Sequence, residues 1–511
     1  MAYVSNQRPR RITVWSGLTS MVALLGSAVL APLAAQVAAG VARPVRLEVT
    51  TTSAEARTAF ASGLEDLANG FPNRGGDRLK KAVDLDPAFG LARVVYATVF
   101  TNGMTNAQRT EEMTRGIADA AKATPGELLV AMAYREGFRQ NATGARAILL
   151  SAGTILPDEP MIAYQRAVML ANLTGGTPTD AVMALKGVIE RFPDFPATYN
   201  NLAYAQWTAG ARADALTTAT TYMAKAPSHP KSHDTYAELL QWDGNFDGAI
   251  AHYKKAIELE PTFFGGHYGL SEVYVLQGKG DLARQALAAA LPHTTTPAQR
   301  ITIHNRIANS YVLEGNIKGA MAALGTVIEE ATKAEINGAI VGAHVGLMNL
   351  EAAFGNPKTS SKTIATHIGH VAAVPPAPQA PGAPPPNPAG RFNGNGTTYA
   401  IAGNSAMARV YLDSLKQREQ SNPSPQVTSQ VHGLTGWVLY SEGKYTEALA
   451  ELRQSNQQNA NIRTGIALTQ FKLGNVAEAR SIRDEIVSDR NFNLANAGNV
   501  QARRVLKLRI I

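Results

Sequence analysis

The chain carries ten histidines and no cysteine, which narrows its side-chain chemistry at once. Without cysteine there are no disulfides, no thiolate metal sites and no thiol nucleophile. Two histidine pairs are spaced to present two imidazoles on one helix face: His229 and His233, four apart, and His367 and His370, three apart. A usual metal site needs at least three protein ligands. His229 adjoins Pro230 in a turn with no third ligand nearby. His367 and His370 close a helix before a proline-rich stretch, where cationic side chains suit the negative end of the helix dipole. No metal and no cofactor are expected. The GxSxG, P-loop, HExxH and dinucleotide fingerprints are all absent. The expectation is therefore that the chain is not an enzyme. A Ser–His–Asp site is recognised by geometry and not by order, so an unrecognised one would have to lie in residues 90–157 or 330–370.

Charge excludes another class of chemistry. The formal charge of +8 falls to +5 once Arg8, Arg10 and Arg11 of the leader are set aside. Nucleic-acid binders show a basic stripe with stacking aromatics; here the charges are dispersed and no nucleic-acid partner is expected.

The first residues read as an export signal. RPRR precedes an apolar run from about Val14 to Ala35, and small residues follow in APLAAQVAAG. Charged, apolar and small-residue regions in that order are a secretory signal peptide, assigned to residues 1–35. Cleavage is expected near Ala35–Gln36, or alternatively near Ala39–Gly40. Arg10–Arg11 hints at twin-arginine export, though the following residues fit that pattern poorly. The rival reading is an uncleaved anchor, because the run approaches the ~20 residues that span a bilayer; that leader would be the only membrane contact. The protein is expected to be periplasmic or extracellular, and not a lipoprotein, since it has no cysteine to acylate.

The elements that position these side chains repeat. Gly176, Gly210, Gly244 and Gly278 share one interval of 34 residues. So do Ala181, Ala215, Ala249 and Ala283, and so do Pro193, Pro227 and Pro261. Glycine tolerates the left-handed conformation that ends a helix. Alanine lets two helix backbones approach, and proline stops the second helix. Each unit is thus helix, turn, helix, stop. The clearest copy runs from Pro230 to Pro261, with Tyr236, Ala237 and Leu240 on one helix face and Ala249, Tyr253 and Ala256 on the next. These are the spacings of a helical stripe.

This copy resembles a tetratricopeptide repeat (TPR) in its helix-A large–small–large pattern, its helix-B Ala–aromatic–Ala pattern and its closing Pro261. Copies at Pro196–Pro227, from Phe264 and from Ile301 resemble it less closely, and Pro196–Pro227 exchanges the small and large residues at Ala219 and Tyr222. From Gly278 to Gly315 the interval stretches to 37. The resemblance implies an all-α fold, an α-α superhelix of antiparallel helix pairs. The array is assigned to 41–370, most regular over 162–297. Residues 371–397, dense in Pro and Gly, read as a linker. A C-terminal TPR-like helical block follows at 398–511. The basic, apolar tail VQARRVLKLRII is read as packing on the last helices, with a strand, a last helix turn or a sticky end as alternatives.

In the TPR family helix A of each repeat lines the inner groove. The resemblance carries that role to Asn200, Tyr204 and Trp207, to Asp234, Glu238 and Gln241, to Tyr268 and Glu272, and to Asn305 and Asn309. Amides, carboxylates and aromatics in a row suit an extended peptide; the same residues serve equally as solvated helix faces. Asp234, Glu238 and Glu272 disfavour acidic partners, with Arg166 and Arg306 able to reverse this locally. The first functional expectation is an extracytoplasmic scaffold holding a protein or peptide on this face. The alternative is a self-assembling envelope or filament protein joined through the linker or the tail.

Overall fold

A computed structural model describes residues 47–68, 71–99, 104, 106–139, 141–172, 177–375, 388–490 and 493–510. The signal peptide, its cleavage sites and Gly176 lie outside the described residues. Apart from one 3-10 turn at Leu291–His293, every regular element described is an α-helix, and no strand occurs among the described residues. No helix among them is long and apolar enough to cross a membrane.

The reason for so many short helices is local. Thr177 and Asp180 form a reciprocal capping box that starts Pro178–Arg191, and Thr296 with Gln299 does the same for Pro297–Glu314. Proline occupies the first turn of Pro125–Phe138, Pro178–Arg191, Pro196–Thr208 and Pro425–Ser441, where its missing N–H costs no bond. At the other end Gly210, Gly244 and Gly278 have φ of 85°, 97° and 74°. These are the left-handed caps that the 34-residue interval predicts, and Gly315 at φ 87° continues them at the longer interval.

The chain divides into two compact units: one up to Leu240 together with Lys255–Phe263, the other Gln241–Lys254 together with everything from Phe264. In the first, five consecutive helix pairs pack: Ala54–Ala68 with Pro72–Leu85, Gly90–Thr98 with Asn106–Ala120, Pro125–Phe138 with Ala142–Ile155, Pro160–Asn172 with Pro178–Arg191, and Pro196–Thr208 with Arg212–Lys225. Within 90–157, whose sequence pattern is degenerate, the described helices form two ordinary pairs. Gly90 and Gly116 explain the first of them, since a Cβ on Gly90 would sit 2.4 Å from the Gly116 carbonyl oxygen. Only bare backbone fits there. The exchanged residues Ala219 and Tyr222 are both fully buried, and Tyr222 packs with Tyr199 and Ala226. The large side chain moves one turn along and still finds a partner.

In the second unit the pairs are Phe264–Leu276 with Gly280–Ala290, Pro297–Glu314 with Ile317–Lys333, Asn337–Phe354 with Ser360–Ala373, Ala389–Ile401 with Ser405–Ser421, Pro425–Ser441 with Tyr445–Gln454, and Ala460–Lys472 with Val476–Ser488. Helix Ala497–Arg509 ends the chain. The small residues early in successive second helices, Ala249, Ala283, Ala320, Ala448 and Ala479, are all fully buried. Helix Ala389–Ile401 begins inside the stretch read as linker. Gly396 is accommodated by packing: a Cβ there would lie 2.7 Å from the Leu434 side chain, while Tyr399 and Ala400 are buried. Tertiary burial here outweighs the low helix propensity of RFNGNG.

Candidate functional site

The first helices of the repeats at Pro196, Pro230 and Phe264 start 34 residues apart. In the first unit, equivalent positions of the helices that start at Pro196 and Pro230 meet. There Tyr204 donates its hydroxyl proton to Glu238 Oε2 at 2.6 Å. Thr235 Oγ1 donates to Asn200 Oδ1 at 2.6 Å, and Lys231 Nζ pairs with Asp234 at 2.7 Å while lying 5.8 Å from the Tyr204 ring centre. Trp207 is half-buried, with the Arg212 guanidinium 5.3 Å from its ring. Burial, seconded by Glu238, pushes the Tyr204 hydroxyl well above its ordinary range. Burial works to lower Lys231, but Asp234, Tyr204 and Glu238 outweigh it and hold the ammonium well above its usual range. Tyr204 thus stays a neutral donor and Lys231 stays charged.

In the second unit the same face is occupied by the chain itself. Gln241 Nε2 donates to the Arg490 carbonyl at 3.2 Å, and Gln241 Oε1 accepts from the Tyr253 hydroxyl at 3.1 Å. Glu272 Oε1 accepts the Leu494 amide N–H at 3.0 Å, and Asn309 Nδ2 donates to the Leu494 carbonyl at 2.7 Å. Arg490 Nη1 reaches the Asp243 carbonyl at 2.9 Å. Leu494 itself is fully buried in the core cluster that contains Ile303, Ala308 and Val312. Two helix-A side chains therefore satisfy both main-chain groups of one residue while its side chain fills an apolar pocket. Leu494 lies in a turn closed by the Asn496 N–H to the Asn493 carbonyl at 3.0 Å, so the row holds the main chain of a turn and not an extended strand.

Arg306 pairs with Glu272 at 2.7 Å and covers the Tyr268 ring at 4.0 Å, and both charged groups are buried. Asn305, its neighbour, is partly buried. Of the ten residues assigned to the inner row, Gln241, Glu272 and Asn309 touch the C-terminal segment. Tyr204, Glu238, Asn200 and Asp234 are bonded within their own helix row. Sequence reasoning missed Lys231, Arg490 and Leu494, and mentioned Arg306 only as an exception. The interval would have found Arg306, which stands 34 after Glu272. The stretched interval of 37 applies to the capping glycine because helix Pro297–Glu314 has 18 residues where Phe264–Leu276 has 13.

The histidine pair His367/His370 gains a third member. His344 lies across from it, its Nδ1 3.1 Å from His367 Nδ1, and stacks on His370 with ring centres 4.9 Å apart and planes 15° from parallel. Stacked rings do not aim their nitrogens at one point, and no group of three or more ligating side chains among the described residues is arranged to hold a metal ion. Burial, then the neighbouring imidazoles, lowers the pKa of His344 and of His367. In the first unit His229 has a buried Nδ1 without a partner among the described residues, and burial lowers the pKa of His233.

Helix pairs with a recurring helix-A register define a helical-repeat protein, an all-α solenoid. More particularly, residues 243–278 match the family model of the TPR repeat, which covers the turn and second helix of the clearest copy and the first helix of the next. No curated protein matches the chain. Among solved structures, a tetratricopeptide repeat protein from Parabacteroides merdae is similar at 14% identity, covering 61% of this chain and 98% of that one with a TM-score of 0.32. A thermophilic TPR protein of Thermus thermophilus is similar at 23% identity, covering 34% and 92%, TM-score 0.28. MamA from Desulfovibrio magneticus is similar at 19% identity, covering 33% and 94%, TM-score 0.28.

Proposed function

We propose that this chain is an extracytoplasmic scaffold that holds a segment of another protein on its helix-A faces. The observation that carries the reading is the grip on Leu494. Glu272 and Asn309 bind its amide and carbonyl, which any residue offers, and a pocket takes its side chain, which confers selectivity. A surface that holds both main-chain groups of a residue in the chain's own C-terminal turn has the chemistry to hold those of another protein. The location rests on the leader, RPRR followed by the run Val14–Ala35.

The binding face is tested by panning a random peptide library on the full chain. Enriched peptides should lose affinity for Tyr204→Ala/Glu238→Ala or for Gln241→Ala/Asn309→Ala variants that retain their helical circular dichroism. Undiminished binding to both variants removes the groove from the function. Export is tested by fusing residues 1–60 to alkaline phosphatase in a bacterial host; an inactive cytosolic fusion refutes the location.

A further inference from the structure

Within the second unit, residues of helices Asn337–Phe354, Ser360–Ala373, Ala389–Ile401, Pro425–Ser441, Ala460–Lys472 and Ala497–Arg509 line a cavity of about 380 Å³. That is within the range, roughly 300–1,000 Å³, of pockets that bury small ligands. Its composition is uneven. Val341, Val345, Met348, Ile401, Ile462 and Val505 make the walls apolar, and Val345 is 36% exposed, a large hydrophobic side chain left without a covering neighbour.

The charged groups are all of one sign. Arg391 and Arg509 line the cavity and no carboxylate does. Arg391 has no ion-pair partner among the described residues, and Arg509 donates only to the Ala353 carbonyl, at 3.2 Å. Trp437 supplies an independent sign of an unfilled site. It is 3% exposed and lines the cavity, and its buried indole Nε1 has no hydrogen-bond partner among the described residues. A buried N–H normally finds a partner. Trp437 and Tyr440, ring centres 5.7 Å apart, form an aromatic wall, and the Asn395 carboxamide lines the same cavity. A positive potential unopposed by acid, an unpartnered indole donor and apolar walls together select a molecule with an oxyanion head and an aliphatic body.

We propose that this cavity binds a single-chain amphipathic anion, an alkyl carboxylate or alkyl phosphate, its head toward Arg391, Arg509 and Asn395 and its chain along the Val345–Met348 wall. The site is separate from the residues that grip Leu494.

The test is calorimetric titration of the full chain, below micellar concentrations, with dodecanoate and dodecyl phosphate and with dodecanol and dodecyltrimethylammonium as controls. Both anions should bind with one-to-one stoichiometry, at least tenfold more tightly than either control. The stronger of the two anions separates a fatty-acid ligand from a phosphorylated lipid. A bromine-labelled dodecanoate should quench fluorescence in the native chain and much less in Trp437→Phe. Arg391→Gln/Arg509→Gln should lose at least tenfold in anion affinity. Gly394→Phe offers a second route if that variant folds poorly: Gly394 lines the cavity, a Cβ there meets nothing within 4 Å, and the ring should fill the space and abolish binding. Dodecanol binding as tightly as dodecanoate, no saturable binding at all, or full affinity in Gly394→Phe would overturn the proposal.

Discussion

Glu272 and Arg306 meet at 2.7 Å, buried, 34 residues apart, and the same Glu272 oxygen also accepts the Leu494 amide. One carboxylate thus ties two successive repeat helices to each other and both to the C-terminal segment. A buried ion pair adds little net stability over an apolar pair, but removing one partner strands the other charge. Glu272→Ala should therefore destabilise the second unit by about 3–5 kcal/mol. Glu272→Gln, which keeps an acceptor for Leu494, should cost less. Denaturant unfolding measures both, and equal effects would show that the Leu494 bond contributes nothing.

Leu494 anchors the segment that fills the groove. Leu494→Ala should weaken its docking by about 2–5 kcal/mol, the usual cost of truncating a buried leucine. Trypsin should then cleave after Arg490 faster than in the native chain. Peptides selected on the groove should bind the variant more tightly, because an internal occupant reduces the competent fraction. Unchanged cleavage and unchanged affinity would mean that the segment does not compete.

Two glycines inside helices should respond in opposite directions. A Cβ on Gly269 would lie 2.1 Å from the Tyr253 ring, whereas one on Gly325 meets nothing within 4 Å. Gly269→Ala should destabilise by about 1–3 kcal/mol through overpacking. Gly325→Ala should stabilise by about 0.5–1 kcal/mol, the helix-propensity gain. Thermal melts distinguish them; a shared sign would refute the close approach of Tyr253.

Acid should loosen the second unit through its histidines. His344 and His367 have pKa values below the ordinary 6.5 because burial and their neighbours disfavour the charged form. His370 and Glu351 are the other titratable groups around them, and half-buried His304 is lowered as well. Below pH 6.5 the unfolded chain takes up protons that the folded chain refuses, so stability falls as pH drops toward the folded values. The melting temperature should decrease from pH 7 to pH 5, and His344→Asn/His367→Asn should flatten part of that slope. An unaltered slope in the double variant assigns the effect elsewhere.

Much of the architecture can be read from local pattern. Gly210, Gly244 and Gly278 announce helix ends because a left-handed cap is a property of one residue and its turn. The alanine series announces close helix contact because it recurs on one face. The RFNGNG stretch misleads for the same reason: its local propensity is poor, and only packing of Gly396 against Leu434 makes it helical. Asn305 and Asn309 stand 37 residues after Tyr268 and Glu272, the spacing of Gly278 and Gly315, whereas Arg306, which pairs with Glu272, stands 34 after it.

The sequence by itself determined the repeat and its helix pairs, since both follow from short-range periodicity. Only the tertiary structure decided what the assigned helix-A row touches in the second unit. The contacts from Asn309 and Glu272 to Leu494 join residues 185 and 222 positions apart, and the partner segment lies outside any interval of the repeat. The meeting of His344 with His367 and His370, and the lining of a cavity by six helices, are likewise decided by how distant helices stack. A periodic pattern specifies which face each helix turns inward, but not which other segment will fill it.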